Sequence, residues 1–175
     1  MIINIAFVLL LFIDFSVAGL LIKPEEVLKE NFPKAKIIKK NILLTKSQAR
    51  LVQNMSKVKL PHLVFTVYIA KENGKTVGYA LLHTHKVRTR NEAVLITFDK
   101  NCNVKDVEII AFYEPPEYIP SDKWRSNFID KNKENLPVLR RNIPNITGVT
   151  LSARVLTDGV RQSIAICEVA IKGRF

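Results

Sequence analysis

A chain of 175 residues with 47% hydrophobic content can bury one sizeable core and leaves little room for two independent domains. Its 27 Lys and Arg outweigh 16 Asp and Glu, for a formal charge of +11, a balance that suits nucleic acid, an anionic membrane surface or an acidic partner. No zinc-finger spacing, RNA-recognition motif, Walker-type phosphate loop, Gly-x-Ser-x-Gly elbow or close cysteine pair is present, which excludes the common nucleic-acid modules and a self-sufficient hydrolase of those kinds.

The chain opens on an apolar run from Ile2 to Ile13 that ends near Ser16-Val17-Ala18-Gly19. Small residues at 16 and 18 suit signal-peptidase cleavage after Ala18. The run falls short of the ~20 apolar residues of a stable span, and Asp14 interrupts it. Residues 1–18 are therefore expected to be a signal peptide or membrane anchor, and residues 19–175 a single extracytoplasmic domain. Without Asp14 the remainder carries 27 basic and 15 acidic groups. An exported chain has little use for DNA or RNA, so no nucleic-acid partner is expected. The basic residues are spread over positions 34–40, 57–59, 86–90, 123–133 and 140–141; they read as solvated surface, with membrane-surface contact as the functional alternative.

Residues 23–30 read as a short helix with Pro24, Glu25 and Glu26 in its first turn, as the helix dipole favours. Asn31-Phe32-Pro33 ends it. A second helix is expected over 47–55. From 62 onward the composition turns to Val, Ile, Phe, Tyr and Thr, giving strands at 62–70, 76–87, 91–98 and 104–113, with turn signals at Glu72-Asn73-Gly74-Lys75 and Asp99-Lys100-Asn101. Ser121-Asp122-Lys123-Trp124 opens a further helix. Strands in the middle and helices at both ends predict an α+β fold, a central antiparallel sheet flanked by N- and C-terminal helices.

His83 and His85 fall on one face of a predicted strand. Two histidines do not complete a zinc site, and His62 is the only other one, so no metal is expected. Cys102 lies in a turn and Cys167 on the apolar stripe of the last helix. One disulfide is open to them in an oxidising compartment, but their spacing gives no framework signal, and Cys167 reads more naturally as a small core residue.

The most telling stretch is Thr147-Gly148-Val149-Thr150-Leu151-Ser152-Ala153-Arg154. Turn formers precede it, and Leu156, Val160, Ile164, Cys167 and Ile171 follow at helical spacing. Two hydroxyls, a glycine and a basic residue thus meet at a helix start, whose unpaired N–H groups and dipole attract a phosphate.

This segment resembles the Ser/Thr-Gly-Ala-Thr signature of the FMN-binding domain family, which includes the flavoprotein subunits of Rnf- and Nqr-type ion-translocating electron-transfer complexes. Gly78-Tyr79-Ala80, Glu114-Pro115-Pro116, Trp124, Phe128 and Thr157-Asp158-Gly159-Val160-Arg161 add to the resemblance, which extends over most of the chain. It implies FMN joined to Thr150 by a phosphoester, with Thr147, Gly148, Val149, Ser152 and Arg154 around the phosphate and Glu114 bonding to the ring or ribityl chain. It also implies a flavin transferase for attachment, a membrane electron-transfer complex as partner, and an electron-carrier subunit with no catalytic residues of its own. Arg88 and the basic residues beside it are a strand edge or, on the functional reading, an anion contact for the flavin phosphate. Pro144 stands where the family has an acid and Val149 where it has alanine; they carry the alternative of a non-catalytic module that keeps the fold and has lost the cofactor.

Overall fold

The structure, a computed structural model, describes residues 19–175; the apolar run at 1–18 and its cleavage site lie outside the described residues. Helix α1 (Pro24–Asn31) leads into strand β1 (Lys36–Leu43), helix α2 (Lys46–Ser56) and strands β2 (Val64–Glu72), β3 (Lys75–Lys86), β4 (Asn91–Asp99) and β5 (Val104–Phe112). A long connection containing the short helix α3 (Asp122–Arg125) follows, and helix α4 (Thr150–Ile166) runs on into a π-helical turn, Cys167–Ile171. The five strands form one antiparallel sheet in the order of the chain. The expected α+β layout is the one observed. Among the described residues no helix is long and apolar enough to cross a membrane.

Alternation along the strands gives the sheet two apolar faces. On one, Val27, Leu28 and Phe32 from α1 and the turn after it cover Tyr68, Ala70, Ala80, Leu95 and Ile110. On the other, Leu156, Val160 and Ile164 of α4 belong to the larger core with Ile69, Leu81, Ile96 and Ile109. Gly78 makes the first packing close: a Cβ there would lie 2.5 Å from both the Phe32 ring and the Phe98 carbonyl oxygen.

Strand β1 was not expected, because Lys36, Lys39 and Lys40 mask its pattern; only Ile42 is fully buried. It pairs with β2 alone, and lysines on such an edge discourage further strand pairing. Thr45 and Gln48 form a reciprocal capping box at the start of α2. In β5 the register shifts opposite Ala93 and Val94, so that Ile109 and Phe112 both reach the α4 face while Ile110 points to α1.

Side chains tie down the long connection. Arg125 donates to the Val107 carbonyl (2.9 Å), the Pro120 carbonyl (3.0 Å) and Glu108 Oε2 (2.8 Å). Trp124 is a core residue, edge-on to Phe128, and its Nε1 donates to the Pro144 carbonyl at 2.8 Å. Cys102 and Cys167 form a disulfide with both residues fully buried, so Cys167 is a bonded residue as well as a core one. The turn at Asn101-Cys102-Asn103, with Cys102 at φ +66°, turns its sulfur to the end of α4.

Candidate functional site

The turn between β3 and β4 closes with the Val87 N–H donating to the Arg90 carbonyl at 3.0 Å. Its remaining N–H groups converge on one oxygen. Glu114 Oε1 accepts from the backbone of Arg88 (3.2 Å), Thr89 (2.6 Å) and Arg90 (2.8 Å), and from the Thr89 hydroxyl at 3.1 Å. The amides of Arg90 and Thr89 hold its carboxyl below the usual carboxylate range. Glu114 is buried, and Pro115 and Pro116 after it restrict the backbone that aims it. Its best acceptor oxygen is thus committed to the protein, which makes Glu114 a clamp on the turn.

Across from this clamp lies the start of α4. Gly148 adopts φ +81° with open space around its Cβ position, so the backbone conformation is what calls for glycine here. Val149 occupies the cap position and supplies no side-chain acceptor, and the first turn contains no acid. The N–H groups of Thr150, Leu151 and Ser152 have no acceptor among the described residues, the usual condition of a helix start awaiting water or an anion. Thr150 is the first helical residue. Its hydroxyl donates to the Ile146 carbonyl at 3.0 Å and receives the Asn145 side-chain amide at 3.3 Å.

Between clamp and helix start is a cleft of about 230 Å³. Val87, Arg88 and Glu114 form its strand side, Gly148, Val149 and Ser152 its helix side, and Tyr118 and Leu151 complete it. Four of the expected site residues, Glu114, Gly148, Val149 and Ser152, therefore share one cleft, with Thr150 between two of its lining residues. Thr147 is exposed just before it; Arg154 is exposed and does not line it. Val87, Tyr118 and Leu151 were not anticipated, since an aliphatic residue or a lone tyrosine in a loop carries no sequence signal. Arg88, whose sequence context suits a strand edge or an anion contact, faces the cleft.

His83 and His85 point to α4, as strand alternation requires. Burial, then the charge of His85 and of His62, pushes the pKa of His83 down to about 3. A histidine whose folded pKa lies below its ordinary 6.5 takes up protons more readily in the unfolded chain, so its effect is absent above pH 6.5 and destabilises increasingly as pH falls toward 3. Urea unfolding should accordingly show a loss of about 1.5 kcal/mol between pH 6.5 and 5 that His83→Phe abolishes. An unchanged slope in the variant would show that His83 is not buried neutral.

No protein-family model matches the chain. It is similar to a subunit of the proton-translocating ferredoxin:NAD(+) oxidoreductase complex of Clostridium ljungdahlii, with 26% identity over 105 residues, 55% of this chain and 57% of that protein. The chain thus spans little more than half the length of the curated relative it matches. That relative is a subunit of a proton-translocating oxidoreductase complex, in accord with the family that Thr147-Gly148-Val149-Thr150 and Glu114-Pro115-Pro116 resemble.

Proposed function

We propose that the protein is an extracytoplasmic FMN-binding electron-transfer flavoprotein that carries its flavin on Thr150 through a phosphoester and works as a subunit of a membrane redox complex. The observation that supports it most is the joining of an uncapped helix start to a cleft with apolar and cationic walls. FMN, when bound, supplies one- and two-electron redox chemistry. The chain's part is to hold, shield and orient. The amides of Leu151 and Ser152 and the dipole of α4 favour a phosphate, Arg88 adds positive charge, and Val87, Tyr118 and Leu151 exclude water from a flat ring. Glu114 positions Val87 and Arg88 by holding the turn that bears them. Esterification replaces the Thr150 hydroxyl proton, so the bond to the Ile146 carbonyl must be given up and the side chain must rotate. A flavin transferase is the expected attaching enzyme: with FAD as donor, the Thr150 oxygen bonds to the FMN phosphorus as the pyrophosphate bond breaks, AMP leaves and the hydroxyl proton is released. The surplus of basic residues suits contact with an anionic membrane surface.

The second reading is a non-catalytic extracytoplasmic module of the same fold without cofactor. It is favoured by the engagement of the Thr150 hydroxyl with Ile146 and Asn145, together with Pro144 and Val149. Co-expression with a flavin transferase separates the two. The first predicts a protein-bound yellow chromophore, a mass increase of one esterified FMN, and loss of both in Thr150→Ala. A colourless product of unmodified mass rules out the covalent bond, and the second reading further predicts no flavin affinity by titration.

A further inference from the structure

We propose that one end of the sheet, made by the β3–β4 turn, the start of β2 and the ends of β1 and β5, is a docking face for an anionic lipid surface, and that docking holds the mouth of the cleft at that surface. The inference rests on the membrane-surface contact of the reading above and not on the flavin.

Strand register gathers this face from distant parts of the chain. Leu43 pairs with Val64, Thr66 with Leu82, Lys86 with Asn91 and Glu92 with Phe112, so these strand ends lie together. Leu20 bridges to Ala111 antiparallel to β5, and the Gly19 carbonyl accepts from the Phe112 N–H at 3.1 Å. Gly19, the first described residue, therefore sits at this same end, and the apolar run from Ile2 to Ile13 precedes it in the chain.

Two features of the side chains point to lipid. The first is exposed apolar surface: Leu20 is 63% exposed, Leu43 65% and Val64 53%, and Leu63 and Tyr113 beside them are exposed as well. Such residues scattered singly are ordinary, but their gathering at one end of a fold marks an interaction surface. The opposite end, with its turns at Glu72-Asn73-Gly74-Lys75 and Asp99-Lys100-Asn101, is polar. The second feature is charge. Lys86, Arg88 and Arg90 are exposed, while the acids that adjoin them in the sheet point inward, Glu92 to His85 and Glu114 to the amides of the turn. Basic groups drawn to a negative leaflet, with leucines and a tyrosine to enter its headgroup boundary, are the composition of a surface that lies on a bilayer. The apolar run decides between a lipid and a protein occupant. Where it serves as an anchor, it holds this end, and not the polar one, at the bilayer.

Arg88 and the exposed Leu151 both line the cleft. Docking thus keeps the mouth of the cleft beside the bilayer, within reach of partners embedded there.

The test uses the full chain without flavin, in vesicles of phosphatidylglycerol and phosphatidylcholine with brominated acyl chains, which quench tryptophan on contact. Trp124 is the only tryptophan and is buried, so a second one reports the contact. Val64→Trp should be quenched severalfold more than Lys75→Trp, which places the same reporter at the opposite end. Quenching at residue 64 should fall to the Lys75→Trp level in vesicles of phosphatidylcholine alone. It should fall likewise on raising salt from about 0.1 M to about 1 M, which shortens the screening length from about 10 Å to about 3 Å. Adding Lys86→Gln and Arg90→Gln to Val64→Trp should have the same effect, with the circular dichroism unchanged. Equal quenching at both ends would show a domain merely tethered by residues 1–18 and leave the face to a protein partner, and quenching indifferent to lipid charge would show that the basic residues take no part; either result overturns the proposal. The flavin reading, tested by colour and mass, stands or falls separately.

Discussion

Glu114→Ala should lower stability by about 2 kcal/mol, because it removes the charged acceptor shared by three backbone N–H groups and a hydroxyl. Hydrogen bonds to a charged acceptor are worth more than neutral ones, and the loss leaves orphaned donors on the turn of residues 88–90. Glu114→Gln, which keeps an acceptor oxygen without the charge, should fall between the two. The pH dependence has a definite sign. A carboxyl held below its ordinary 4.5 in the folded state contributes stability that is fully present above that value and is lost as pH falls through the lowered folded value. Urea unfolding of the three proteins measures the first effect, and hydrogen exchange at Arg88, Thr89 and Arg90 locates it. A change below about 0.5 kcal/mol in Glu114→Ala, the range of ordinary surface substitutions, would refute the clamp. Flavin loading of the same variants should suffer through Arg88 and Val87, whose place Glu114 sets.

Replacing both cysteines by serine should cost about 4 kcal/mol, from the chain entropy that a bridge across 65 residues removes from the unfolded state. That loop contains β5, the whole connection with Trp124 and Arg125, and α4, so every helix-side residue of the cleft lies within it. The bridge therefore confines the search for the very segment that the strand side must meet. Urea unfolding with and without reductant should reproduce the loss in the wild type, whereas the double variant should be indifferent to reductant. A wild type equally stable in both conditions would show that the bridge contributes nothing. Such a bond forms in an oxidising compartment, in accord with the export pattern of residues 1–18.

The meander and the final helix were legible because their signals are local: strand composition broken by Glu72-Asn73-Gly74-Lys75, and an apolar stripe from Leu156 to Ile171. The helix start at Thr150 was legible for the same reason. Strand β1 was hidden because an edge strand needs no strict alternation and its lysines read as surface. Glu114 was located, but the donors on its turn were not anticipated, since they lie 24 to 26 residues away across a turn whose shape no local pattern encodes. Cys102 and Cys167 pair over a much wider gulf, 65 residues of sequence. Gly159 reads as a helix defect until two imidazoles are seen against it.

The register shift in β5 has a consequence for the direction in which the chain's chemistry faces. Strand side chains keep a two-beat rhythm, and one added residue moves every later beat to the other side. Val107 and Ile109 keep time with the α4 face; unbroken, that count would bring Ala111 and Tyr113 there next. Ile110 is the extra beat, and Phe112 and Glu114 arrive instead. One inserted residue near the end of the strand thus decides that a carboxylate, and not a tyrosine, meets the turn bearing Arg88, and the polarity of the cleft is set by counting as much as by composition.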